Sequence, residues 1–130
     1  MTEKKFDYVI NKQLENCKNT LVIKGVEYRR NNNPLHNFDI GEQQSTTGES
    51  REDIIWGMAR KHWISIQDIR QDVKNGKLPT NAQLDEKYGD FINYLLLEKA
   101  SIVDKIDQKS HYNHFASTEF LNVDKNNKNE

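Results

Sequence analysis

Apolar positions along the chain fall into three blocks, each repeating at the three- and four-residue spacing of a helix. In the first, Phe6, Ile10, Leu14, Cys17 and Leu21 share one stripe, which Val9 widens. This pattern predicts a helix from about Glu3 to Lys24, with room to extend to Arg29 because Gly25 weakens a helix without having to end it. The second block carries Ile55, Met58 or Ala59, His62, Ile66, Ile69 and Val73. Ser50 precedes it as an N-cap, with Glu52 and Asp53 in the electropositive first turn, and Asn75-Gly76 follows as a C-terminal stop. The third block is predicted to run from Asn81 to Asp107. Thr80 is its N-cap, Gln83 reaches back in a capping box, and Ile102, Val103 and Ile106 lie on the inner side.

Between blocks, Asn31 to Pro34 reads as a turn, and Phe38 to Gly48 reads as a loop because it has no periodicity and two glycines. No segment alternates convincingly at period two. The expected fold is therefore all-α, a single domain of three long helices in a bundle over residues 1–110. Residues 111–130 are expected to form a C-terminal docking segment and polar tail, where His111 and His114 alternate with Tyr112 and Phe115. The short connection from Asn75 to Pro79 predicts that the second and third long helices pack antiparallel, with Lys61 near Asp90.

The third block also carries the clearest hint of chemistry. Glu86, Asp90, Asn93 and Leu97 line one stripe, flanked by the apolar Tyr88, Phe91, Leu95 and by Ile92, Leu96. Apolar flanks on both sides predict a central helix covered on most faces. A carboxylate there is costly unless a cation, a donor or a water-filled cleft faces it.

Composition narrows the partners. The 130-residue chain suits one domain, and its low apolar content (35%) is concentrated in the helical blocks. A net charge of −1 argues against duplex nucleic acid, which needs a basic face, but leaves room for a single phosphate group. Cys17 is alone and sits on an apolar stripe, so it reads as a small buried hydrophobe. No stretch is apolar enough to span a membrane, which leads to the expectation of a cytoplasmic protein.

Candidate residues follow from side-chain type. Glu86 and Asp90, with Asp68 from the second block, supply the hard oxygen donors that Mg²⁺ prefers. His36, Asn37 and Phe38 place an imidazole, an amide and a ring in one turn, the groups that stack on and hydrogen-bond a single base. Lys61 faces either Asp90 or a ligand phosphate, and His62 reads as a core histidine or a ligand contact. Lys24, Glu27, Tyr28, Arg29 and Arg30 form the one dense cationic patch, a candidate phosphate clamp. No glycine-rich phosphate loop or nucleophile elbow occurs.

The order KGVEYRRNNNPLHNF, IIWGMARKHWISIQDI, LDEKYGDFINYLLLEKA resembles the small α-helical phage proteins of the nucleotide-modification-associated domain type. Those share a Gly-Glu-Tyr-like element, an Asn-Phe turn, a Lys-His helix and a closing helix with Asp and Asn-Tyr. More distantly it is similar to the MazG-like all-α nucleotide pyrophosphatases, whose facing helices hold Mg²⁺ through carboxylates. The resemblance spans Lys24 to Ala100 and implies roles for Glu27, Asn37, Lys61, His62, Asp68, Asp90 and Asn93. The chain departs from the pyrophosphatases in having no Glu-x-x-Glu on its second block, and in spacing Glu86 and Asp90 by four.

The expectation is a phage-type protein that binds a nucleotide or nucleotide-like small molecule, with Mg²⁺ as an expected cofactor, and that forms a homo-oligomer. The alternative is a non-catalytic phage inhibitor of a bacterial defence system, acting as a signal-nucleotide sponge or by blocking a host defence protein.

Overall fold

A computed structural model describes residues 1–110, apart from the side chain of Tyr28. The expectations for 111–130 lie outside the described residues. The chain divides into two compact units, Met1–Glu98 and Lys99–Glu130. The fold is all-α, with three long helices packed together and one short helix, and no strand among the described residues.

Helix α1, Glu3–Lys18, begins where the Thr2 hydroxyl accepts the Lys5 N–H at 3.2 Å. The helical path then continues almost as far as the apolar repeat suggests, but in altered form. Asn19–Ile23 is a π-helical turn, and Lys24–Tyr28 is a 3-10 segment. At the junction the Lys24 N–H points at the carbonyls of both Asn19 and Thr20. β-Branched Thr20, Val22 and Ile23 crowd a regular α-turn, and a Cβ added at Gly25 would meet the Thr20 carbonyl at 3.7 Å.

The expected turn follows, closed by the Asn33 N–H to the Arg30 carbonyl at 2.9 Å. Its central residues, Asn31 and Asn32, have φ of 54° and 60°, a left-handed geometry that asparagine tolerates well. The segment expected to be a loop is instead mostly helical: α2 spans His36–Gln44. Its stability comes from polar contacts that hydrophobic periodicity does not register. Asn33 holds the start, its Oδ1 accepting the Leu35 N–H and its Nδ2 donating to Asp39. Asp39 accepts from the buried Arg51 guanidinium at 2.9 Å, and Glu42 accepts the Arg51 backbone N–H. Gly41, which looked like a loop marker, is where the next helix comes close: an added Cβ would lie 3.0 Å from Ile54 Cδ1.

Helix α3, Arg51–Lys74, starts at the expected N-cap Ser50, which forms a capping box with Asp53, and ends at Asn75, with Gly76 at φ +81°. Helix α4, Asn81–Lys109, starts with the reciprocal Thr80–Gln83 bonds at 2.9 and 3.1 Å. Contacts between α3 and α4 run in opposite directions: Trp63 meets Phe91, His62 meets Asp90, and Met58 shares a cleft with Tyr94 and Leu97. The two helices are therefore antiparallel, as the short connection predicts. Helix α1 runs parallel to α4, since Lys12 pairs with Asp85 and Cys17 Sγ approaches the Gly89 carbonyl at 3.9 Å. Gly89 permits this closeness, because a Cβ there would lie 2.8 Å from Gln13 Nε2.

The core of the first unit is small. Cys17, Leu35, Ile55, Ala59 and Ile66 are its buried apolar residues among those described. Helix α4 is less enclosed than its apolar flanks suggest, with Leu95 and Leu96 41% and 45% exposed. Its inward side is the narrower stripe of Gly89 and Asn93, where small residues allow helices to approach. In the second unit α4 continues with Ser101 fully buried, while Ile102, Val103 and Ile106, expected on the inner side, are exposed.

Candidate functional site

The turn after the first helical segment folds over the end of α1 and opens a cleft of about 420 Å³ within the first unit. The π-helical and 3-10 stretch contributes Thr20, Leu21 and Gly25, and Arg29 just after it joins them; the turn and α2 add Pro34, Asn37 and Phe38. Met58 of α3 and Asp90, Tyr94 and Leu97 of α4 complete the wall. The lining is mostly apolar, with a few converging polar groups, as small-molecule sites usually are.

Asn37, Phe38 and Asp90, singled out from sequence, are thus brought to one cleft. Arg29 joins them from the cationic patch, and its Nε is buried without a hydrogen-bond partner. A guanidinium N–H withdrawn from water with no acceptor is unfavourable, so the position suits an anionic oxygen entering the cleft.

Asp90 sits against His62 rather than Lys61. His62 Nδ1 lies 3.6 Å from Asp90 Oδ2, and the imidazole stacks on Tyr94 at 5.4 Å with 19° between planes. The two candidates are adjacent on α3, so a turn of about 100° about the axis decides which one faces α4. Lys61 is exposed. Burial raises the Tyr94 phenol above its ordinary pKa of 10.0, and the Asp90 carboxylate adds to the rise. Tyr94 therefore stays a neutral hydrogen-bond donor in the cleft at physiological pH.

The remaining candidates lie elsewhere. His36 begins α2, half-buried and outside the cleft lining, and Glu27 is exposed on the 3-10 segment. Asp68 lines a separate groove near the α3–α4 connection, with Ser65, Asp72, Lys77 and Gln83. Glu86 is exposed, its Oε1 3.2 Å from Lys87 Nζ. Asn93 is 7% exposed, with its Oδ1 unpartnered. Among the described residues no three His, Cys, Asp or Glu side chains converge as a metal site. Asp90 is the single carboxylate lining the cleft among the described residues.

Tyr94 and Leu97 were legible as neighbours of Asp90, four and seven positions on along one helix. Thr20 and Leu21 carried no such signal, because they reach the cleft through the π-turn. No helix among the described residues is long and apolar enough to cross a membrane. No family model, curated protein or solved structure matches the chain.

Proposed function

We propose that the cleft binds a nucleotide or nucleotide-like small molecule, and that the protein acts in nucleotide metabolism or modification by binding. One observation carries the reading: Arg29, with its buried unpartnered Nε, shares a cleft with two aromatic rings, an amide and a carboxylate. In this assignment Arg29 takes a phosphate oxygen. Phe38 and Tyr94 supply flat apolar surface for a base, and Asn37 and Asp90 take hydrogen bonds from its edge or from the sugar. The volume falls within the range of about 300–1,000 Å³ that such ligands occupy. The motif order resembles that of the phage nucleotide-modification-associated proteins, and that resemblance points to the same ligand class.

A single carboxylate does not fit a Mg²⁺ ion held by the protein alone. A Mg²⁺ here would have to arrive on the ligand's phosphates and keep most of its waters. That favours stoichiometric binding over hydrolysis, which also suits the alternative in which a phage-encoded protein sequesters a signal nucleotide.

Calorimetric titration against mononucleotides and signalling nucleotides, with and without Mg²⁺, tests it. Arg29→Ala, Asn37→Ala and Asp90→Ala are each expected to weaken binding by about 1–3 kcal/mol, the scale of a lost buried polar contact. Absence of any micromolar binding by the parent protein rejects the reading and leaves inhibition of a defence protein as the alternative.

A further inference from the structure

The first ten residues are all exposed, although Phe6, Val9 and Ile10 continue the apolar stripe that buries Cys17 further along α1. For residues 3–7 the reason is an overhang, and beyond them α4 covers only one side of α1. Lys12 stands level with Asp85 and Cys17 with Gly89, so Asn81, the first residue of α4, stands level with about Tyr8. The helix projects beyond the end of α4 by more than one turn of about 5.4 Å. Phe6, Ile10 and Leu14, spaced by four, form one ridge, with Phe6 54% and Leu14 59% exposed.

We propose that this ridge is a self-association face, on which α1 of one chain packs antiparallel against α1 of a second copy about a two-fold axis near Ile10. Two features favour a second copy over other occupants. The first is charge: Glu3 and Lys18 lie seven and eight residues either side of Ile10, both exposed. Antiparallel pairing sets each Glu3 beside the partner copy's Lys18, twice, whereas parallel pairing would set like charges together. The second is the small core of the first unit. A unit that buries so little apolar surface gains from a constitutive source of more, and a copy of the chain is always present at matching concentration. A lipid surface fits less well. Glu3, Asp7 and Glu15 interrupt Lys4, Lys5, Lys12 and Lys18 on α1, and interfacial helices want a uniformly cationic polar face. The cleft lies at the other end of the segment, so each protomer keeps its own site.

Sedimentation equilibrium of the full chain over a concentration series is the test, with circular dichroism confirming helix content in each variant. The parent is expected to be a dimer, and Leu14→Glu is expected to raise the dimer dissociation constant by about tenfold or more, each tenfold being 1.4 kcal/mol. Glu3→Lys and Lys18→Glu should each weaken the dimer, and the double reversal should restore it. That recovery cannot come from the helix dipole, which both reversals oppose. A parent that stays monomeric, a Leu14→Glu variant that dimerises as well as the parent, or a double reversal weaker than either single change overturns the proposal. Monomers that co-sediment with anionic vesicles would also overturn it, in favour of the lipid surface.

Discussion

From Glu3 to Lys18 the first helical segment is a regular α-helix whose ridge of Phe6, Ile10 and Leu14 remains exposed. From Asn19 to Tyr28 it winds first wide and then tight, and Thr20, Leu21, Gly25 and the Arg29 that follows it line a cleft. The same apolar repeat runs through both halves. The difference lies in what stands opposite: the first half starts beyond the end of α4 and meets it on one side only, at Lys12–Asp85 and Cys17–Gly89, while the second lies beside Asp90, Tyr94 and the α2 turn. Amphipathicity marks a face that seeks cover, and the length of the neighbouring helices decides whether the cover comes from within the chain.

The largest effect expected from this contrast separates two apolar residues of similar size. Ile55→Ala removes a fully buried side chain and should cost about 2–5 kcal/mol. Phe6→Ala, at low protein concentration where copies are apart, should cost no more than about 0.5 kcal/mol, as surface changes do. Urea denaturation of both variants checks this, and equal losses would mean that the overhanging half of α1 is packed after all.

A middle-sized effect concerns the anchoring of the cleft. Asn37 and Phe38 sit on α2, which Asp39 ties to the buried Arg51. Asp39→Ala removes the carboxylate from that guanidinium and should cost about 1–3 kcal/mol. It should weaken ligand binding as well, although Asp39 lies outside the cleft lining. Denaturation and titration of the same variant test both, and a stable variant that binds normally would show that α2 holds its place without Arg51.

The smallest expected effect is at Asp90. Its pairing with His62 is partly solvent-exposed, so Asp90→Asn should change stability by no more than about 1 kcal/mol. The same change should lower the Tyr94 pKa only in part, because burial, the larger cause, remains. Tyr94 holds its proton more tightly in the folded state. Its contribution to stability is therefore present below 10.0 and lost as pH rises through the higher folded value. Difference ultraviolet titration against Tyr94→Phe reads the shift, and an Asp90→Asn variant with an unchanged Tyr94 pKa would remove the carboxylate from the account.

The helix starts were legible because their signals are local: Ser50 with Asp53, and Thr80 with Gln83, lie within one turn. Helix α2 was not, since its support comes from Arg51, nine to twelve positions away from Glu42 and Asp39. The candidate site was legible in Asn37, Phe38 and Asp90, where residue type alone narrows the choice. The expected Lys61–Asp90 pairing fell one position away, at His62, because hydrophobic spacing does not fix which of two adjacent residues faces a neighbour. The π-turn left no mark, as a four-four-three-four repeat fits a regular helix equally well.

Hydrogen exchange with and without a bound nucleotide tests the central claim most directly, because it reads both halves of the first segment in one experiment. Added protection is expected in residues 19–29 and 34–38, with residues 3–14 unchanged by the ligand. Protection confined to 3–14, or a bound nucleotide that leaves 19–29 and 34–38 exchanging as before, would contradict it.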